Sequence, residues 1–240
     1  AQLQRGDASA QSSTSSLLLI LRKAMPTVPA TAVHARFTDL ASTLATVLKV
    51  PDDEGLVKQA LSCMAVASGI AFDAGSRPNK KILKPVFSLL GDARAPVRHQ
   101  AEVTATSIIK RAAAASDQQS LDFASQHLVQ MMTARPQKAS SGEHPTQHAI
   151  TLVRAIAPSL PPENLRSICA ELLRLPAALG QHASCTEAFT FFADYFGRDP
   201  VSDAEDHLAT LAIKLLPGLL GIPMTMLNAG RSAAHARALA

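Results

Sequence analysis

The chain has 240 residues, of which 47% are hydrophobic, 18% are charged and only 4% are aromatic, and its formal net charge is +4. This composition supports a sizeable core and favours helix over sheet, because Ala and Leu are strong helix formers and the aromatic residues that favour strands are scarce. So small a net charge does not by itself indicate a polyanionic partner. The longest purely apolar run, 17–21, is too short to cross a bilayer, so no membrane association is expected.

Proline, glycine and short polar clusters divide the sequence into helical segments. Residues 1–13 are predicted to form a disordered start, and no segment shows the two-residue alternation that is typical of a strand. Whether the final segment is a capping helix or a frayed tail is left open. The predicted helices span about 14–25, 29–49, 54–72, 79–90, 94–115, 118–133, 143–159, 162–175, 180–196, 202–220 and 223–239.

These helices pair into hairpins that begin roughly every 40 to 50 residues, which is the spacing of two-helix HEAT or armadillo repeats. The apolar stripe that one hairpin leaves uncovered can be buried when hairpins stack. We therefore predict an all-α protein in which residues 14–240 are a segment of one right-handed α-solenoid of HEAT/armadillo-like helical hairpins. A compact helical bundle is the alternative. The predicted hairpins lie near 29–75, 79–115, 118–159, 162–196 and 201–239.

The most informative turn lies in "FSLLGDARAPVRHQAEVTATSIIK", residues 87–110. Asp92 ends an apolar run, and Val97 and Arg98 open the next helix. The Asp92 carboxylate can accept hydrogen bonds from free amides at the start of that helix. Arg98 can pair with this carboxylate or with one in an adjacent repeat, while Val97 packs between helices. We interpret the three residues as a structural staple and not as a catalytic group.

Residues 92–200 contain the succession "APVRHQAEVTATSIIK", "SQHLVQMM", "HAITLVRAIAPSLPPENLRSICAELLRL" and "CTEAFTFFADYFGRDP". This succession resembles the RRP-twelve-like family of HEAT-repeat ribosomal RNA-processing factors. The resemblance covers less than half of the chain, lies mostly at core positions, and offers no short site motif to carry over.

That resemblance implies a non-catalytic scaffold in ribosome biogenesis. Such a protein would bind precursor ribosomal RNA and ribosome assembly proteins during small-subunit maturation and nuclear export, with nuclear transport factors as further partners. It would reside in the nucleolus and nucleus and shuttle to the cytoplasm. The alternative is an importin-like HEAT transport receptor or adaptor that recognises protein cargo. Such a receptor is expected to have a strongly acidic inner surface. The basic segment described next is weak evidence against this alternative.

The positive charge is concentrated in residues 77–111, here called the basic segment, which has eight basic and two acidic residues. Lysines three and four residues apart in its first helix share one side of that helix. Such a cluster could follow a phosphate backbone, although no stacking aromatic is interleaved with it. A solvated or protein-facing surface is the alternative. The candidate phosphate-binding residues are Arg77, Lys80, Lys81, Lys84, Arg94, Lys110 and Arg111.

An aromatic cluster, "FTFFADYF", lies at 189–196. Three of its Phe residues share one helical face and are predicted to fill the core. Phe191 and Tyr195 project elsewhere, onto a neighbouring repeat or onto a partner, and are the candidate partner contacts.

Motifs of enzymes and of cofactor sites are missing from the sequence, including the phosphate loop, the dinucleotide loop and the zincin pair. His144 and His148 have the spacing of a metal pair but lack an evident third ligand. His182 and Cys185 fall short of a structural zinc site. The three cysteines are widely spaced and are expected to be buried free thiols. We predict no catalytic residue, no metal, no cofactor and no small-molecule substrate.

Overall fold

The fold is that of a computed structural model. The structure describes residues 8–49, 53–75, 77, 80–133, 145–179, 187–188, 190–192 and 194. Helices and short 3-10 turns make up its regular structure, and this part of the chain contains no strand, which confirms the all-α prediction. The helices are α1 (Ala8–Ala24), α2 (Ala30–Val47), α3 (Glu54–Asp73), α4 (Lys80–Ser88), α5 (Ala95–Ala114), α6 (Gln118–Thr133), α7 (Pro145–Ile156) and α8 (Pro162–Leu179).

The predicted helix boundaries agree with these bounds to within a few residues, with two differences. Helix α1 begins at Ala8, inside the segment predicted to be disordered, because the residues before 14 include alanines and glutamine that favour helix. Helix α8 continues past Pro176, where a stop was predicted. The predicted helices at 202–220 and 223–239 and the predicted linker at 134–142 lie outside the described residues.

The chain divides into two compact units, Ala1–Ala124 and Ser125–Ala240, and the division falls within α6. Each unit is described by itself. That the whole of 14–240 forms one continuous, right-handed array stays a prediction.

The first unit is built from two layers of helices. Helices α1, α3 and α5 pack side by side in one layer, and α2 and α4 contact each other in the second. Across the layers, α2 packs on α3 and α4 packs on α5, so each pair is a hairpin. Stacked helical hairpins of this kind are the predicted HEAT/armadillo-like arrangement.

Hydrogen bonds between helices of the first layer give the period of this stack. The Cys63 thiol donates to the Leu18 carbonyl oxygen at 3.1 Å, across a separation of 45 residues. The Thr104 hydroxyl donates to the Leu61 carbonyl oxygen at 3.3 Å, across 43 residues. Near-equal offsets mean that equivalent positions of successive hairpins face each other, as a repeat requires.

Helix α3 is the centre of the first unit, because α1, α2 and α5 all pack against it. Its buried side chains face several sides and include three alanines, Ala60, Ala67 and Ala71, which let the neighbouring helices approach closely. By length and composition α3 is also apolar enough to span a bilayer, but 61% of that stretch is buried inside the structure. The packing of α1, α2 and α5 on α3 therefore explains why this helix is so apolar.

Helix α4 is short, and Pro85 lies inside it as predicted. Its apolar face buries Ile82, Leu83, Val86 and Phe87. The ring of Phe87 meets that of Phe123 edge-on, with centroids 5.9 Å apart. This face holds α4 on the first unit, and Lys84 and Ser88 outside it are exposed.

The second unit has its own apolar core, to which α7 and α8 contribute Ile150, Val153, Ile168 and Leu172. In the same unit the Arg154 guanidinium lies 3.6 Å from carboxylates of Glu187 and of Asp194.

Enlarging a small residue in the α3–α5 contact layer should be costly. Ala105 of α5 is fully buried, whereas Ala114 of the same helix is exposed. We expect Ala105→Leu to lower the free energy of unfolding by about 1–3 kcal/mol, because added volume in a packed core forces strain. The matched variant Ala114→Leu should change it by less than about 0.5 kcal/mol. Equal denaturation midpoints for the two variants, measured in urea, would contradict the layered packing.

Candidate functional site

The basic segment is the charged surface that the sequence predicted as a functional site, and its basic residues have different environments in the structure. The side chains of Arg94, Arg98 and Arg111 contact other groups of the protein. Arg77, Lys84 and Lys110 are exposed. Lys80 and Lys81 lie in the first turn of α4, and their side chains are outside the described residues.

Asp92 and Arg94 form a compact clamp in the turn before α5. The Asp92 Oδ1 accepts hydrogen bonds from the Arg94 amide at 2.9 Å and from its Nε at 2.8 Å. The Arg94 Nη2 donates to Oδ2 at 2.9 Å, so the guanidinium binds both carboxylate oxygens. This side-chain hydrogen bond holds the pKa of Asp92 below its ordinary value of 3.8. Asp92 thus binds the amide at the N-cap of α5 and not those of its first turn.

Arg98 completes this turn from within α5. Its side chain is buried, and its Nη1 donates to the carbonyl oxygens of Asp92 at 2.9 Å and Ala93 at 3.0 Å. Val97 is fully buried beside it. The residues interpreted as a staple therefore do lie together, but Arg98 holds the main chain of the turn, whereas the bidentate bond to the Asp92 carboxylate comes from Arg94.

Arg111 crosses from α5 to α3. Its Nη1 donates to the Asp73 carboxylate at 2.9 and 3.1 Å and to the Gly69 carbonyl oxygen at 3.4 Å, 42 residues away. A Cβ at Gly69 would lie 2.9 Å from the guanidinium carbon, so glycine leaves room for this crossing. The guanidinium remains 44% exposed, and an ion pair of this kind contributes at most about 1 kcal/mol.

Arg94 and Arg111 were both predicted to bind phosphate, and the structure shows each with an acidic partner. Arg94 binds its carboxylate through two nitrogens of its planar fork, whereas Arg111 donates to both Asp73 oxygens through Nη1. For Arg77, Lys84 and Lys110 no ion pair is formed with any residue that the structure describes. The exposed, uncompensated charge of the basic segment is therefore carried by these residues, and phosphate binding by them stays a prediction.

A groove of about 290 Å³ lies beside this charge, between α2 and α4. Pro85 and Ile82 of α4 form one side of it, and α2 forms the other. The contribution of α2 was missed by the sequence analysis, because Lys49 lies outside the basic segment and reaches the groove only through the packing of α2 on α4. The residues on the α2 side of the groove are Thr38, Ser42, Ala45 and Thr46 of the helix and Lys49 in the turn that follows it.

The aromatic cluster differs from its prediction at Phe191. This ring is 1% exposed, and its centroid lies 5.5 Å from that of Phe192, which is also buried. The prediction that Phe191 contacts a partner is therefore wrong, because Phe191 lies with Ala188 and Phe192 on one buried face of this helical stretch. Tyr195, the other candidate contact, lies outside the described residues.

The cysteines that the structure describes are buried free thiols, as predicted. Burial raises the pKa of Cys63 to about 11 and that of Cys169 to about 12, so neither is a thiolate nucleophile near neutral pH. Cys185, His182 and His144 lie outside the described residues. Within the described ranges, no group of three His, Cys, Asp or Glu residues is placed to hold a metal ion.

Comparisons with known proteins give similarity in structure only. No family model matches the chain, and no curated protein matches it by sequence. A designed armadillo repeat protein in complex with the peptide (KR)4 is similar over 99% of this chain and 95% of its own, with 18% identity and a TM-score of 0.47. A second designed armadillo repeat protein is similar over the same shares, with 17% identity and a TM-score of 0.43. Likenesses this distant carry no conclusion about what the chain binds.

Replacing Asp92 by Asn should weaken the turn before α5 in a pH-dependent way. We expect the free energy of unfolding at neutral pH to fall by about 1–2 kcal/mol, because a hydrogen bond to a charged group is lost and the pair is partly solvated. A carboxylate whose pKa is lower in the folded protein stabilises the fold above its unfolded pKa, and this contribution is lost as pH falls through the folded pKa.

The difference in unfolding free energy between the wild type and Asp92→Asn should therefore be constant above about pH 5 and shrink below about pH 4. Denaturant titrations across this range measure it. A difference that stays unchanged down to about pH 2 would show that the Arg94–Asp92 pair contributes nothing to stability.

Proposed function

We propose that this chain is a non-catalytic helical-repeat scaffold of ribosome biogenesis. It binds precursor ribosomal RNA and assembly proteins during small-subunit maturation and nuclear export, in the nucleolus and nucleus and with shuttling to the cytoplasm. Nuclear transport factors are further partners. The resemblance of residues 92–200 to the RRP-twelve-like family supports the process, and the stacked hairpins of the first unit support the role of a scaffold.

The layered architecture suits binding to extended partners. Its core is filled by close-packed helices such as α3, so the surfaces available to a partner are broad outer faces. Proteins built from stacked repeats use such extended faces for recognition. The buried, protonated thiols described above provide no nucleophile that would favour an enzyme.

The observation that carries the RNA-binding proposal is the exposed positive charge at Arg77, Lys84 and Lys110. These residues have no ion pair among the residues that the structure describes, whereas Arg94 and Arg111 are paired with Asp92 and Asp73. Lysine is a strongly hydrated point charge that tolerates many geometries, which suits sequence-independent contact with phosphates.

Charge reversal in α4 tests this proposal. We expect the triple variant K80E/K81E/K84E to bind a fragment of small-subunit precursor RNA about tenfold or more weakly near physiological salt. The slope of log affinity against log salt should also fall by about 2 to 3, since each lost phosphate contact removes about one released counterion. Fluorescence anisotropy with labelled RNA measures both quantities.

The matched control is K23E/R166E/R174E, which changes the net charge by the same amount at exposed sites outside the basic segment. It should retain most of the affinity. Circular dichroism of both variants checks that each is folded. Equal losses in the two variants would contradict a localised RNA site, and no measurable binding by the wild type would overturn the proposed function.

A further inference from the structure

We propose that the groove between α2 and α4 is the track along which a single RNA strand lies, with Lys49 lining it and Lys84 exposed on α4. This inference rests on the proposed RNA-binding function and adds to it a specific surface. It also assigns a role to Lys49, which lies outside the basic segment.

The charge of the groove fits a polyanion. Lys49 is exposed, lines the groove, and has no ion pair among the described residues. None of the described residues that line the groove carries a carboxylate. Asp39 follows the lining residue Thr38 in α2. Its carboxylate lies 3.7 Å from the Arg36 guanidinium, which offsets the negative charge of Asp39. A groove walled by protein and lined by one sign of charge concentrates a ligand of the opposite sign.

Hydroxyl groups add hydrogen-bonding capacity along the same wall. Thr38, Ser42 and Thr46 recur at every fourth position of α2, so they form a row on one side of the helix. Hydroxyl side chains are regular partners of phosphate and sugar oxygens. The Thr46 hydroxyl now donates to the Ser42 carbonyl at 3.1 Å, so it can donate to a ligand only after it rotates.

The α2 wall of the groove is long enough to contact a short stretch of an extended strand. From Thr38 to Thr46 it is about 12 Å long at the rise of an α-helix. Ile82 and Pro85 form an apolar opposite side, and none of the described lining residues is aromatic. Without a stacking ring the surface contacts the sugar–phosphate backbone and not the bases, so it should tolerate different sequences.

Helix α4 forms the opposite side of the groove through Ile82 and Pro85. The same helix carries Lys84, which is exposed. The packing of α2 on α4 therefore places Lys49 beside a helix that carries a second exposed lysine, 35 residues later in sequence.

Site-specific crosslinking and charge reversal test the groove together. A photoreactive benzoylphenylalanine at Ser42, which is exposed and lines the groove, should crosslink to a bound single-stranded RNA oligonucleotide of mixed sequence. The same group at Val103, exposed on α5 in the other layer, should not. We expect Lys49→Glu to weaken RNA binding about three- to tenfold and to lower the salt slope by about 1.

Two control variants identify the cause of that loss. Lys49→Arg keeps the charge and should bind RNA as the wild type does. Lys23→Glu makes the same charge change on exposed α1 and should have little effect.

The outcomes separate this inference from the proposed function. RNA binding that is sensitive to K80E/K81E/K84E but not to Lys49→Glu, with no crosslink at position 42, would overturn the groove and leave the function standing. Absence of any RNA binding would overturn both. A crosslink from position 42 to a protein and not to RNA, in reconstituted mixtures containing both, would replace the proposed occupant by a protein.

Discussion

The burial of α3 by three neighbouring helices is the constraint on which the first unit depends. An apolar helix of this length exposed to water would leave a large hydrophobic surface uncovered, and covering it requires α1, α2 and α5 together. The alanines of α3 let these helices approach closely enough to exclude water. Once α3 is covered in this way, the relative positions of α2 and α4 are also defined, and with them the groove on the outer layer.

The basic residues of the first unit divide by side-chain chemistry. Arg94, Arg98 and Arg111 donate hydrogen bonds within the protein, two of them to carboxylates and one to main-chain carbonyls. The described lysines of this region, Lys84 and Lys110, extend into solvent. An arginine can satisfy several acceptors at once in a fixed geometry, whereas a lysine loses little by remaining hydrated. Some basic residues of the basic segment therefore maintain the fold, and others are available to a partner.

Much of the fold could be predicted from sequence, because helix boundaries depend on local residues. The proline and glycine positions located the hairpins, and the offsets of 45 and 43 residues between Leu18 and Cys63 and between Leu61 and Thr104 agree with the predicted spacing. The candidate site was harder, because it depends on tertiary contacts.

Three residues show why. Arg94 was expected on the RNA surface, but the turn before α5 brings it onto Asp92. Phe191 was assigned to an outer face by its helical position, but the buried face of this stretch is the one that Ala188, Phe191 and Phe192 share. Lys49 gave no signal in the sequence, since only the packing of α2 on α4 places it in the groove.

Native-state hydrogen exchange tests most directly whether α3 is the helix on which the first unit depends. Amides near Ala67 in the middle of α3 should be the slowest to exchange in residues 8–124, because they open only when α1, α2 and α5 separate from it. Their exchange free energies should equal the global free energy of unfolding of that unit, and amides of α1 should exchange faster. Exchange in the middle of α3 that is as fast as in α1 would contradict the account.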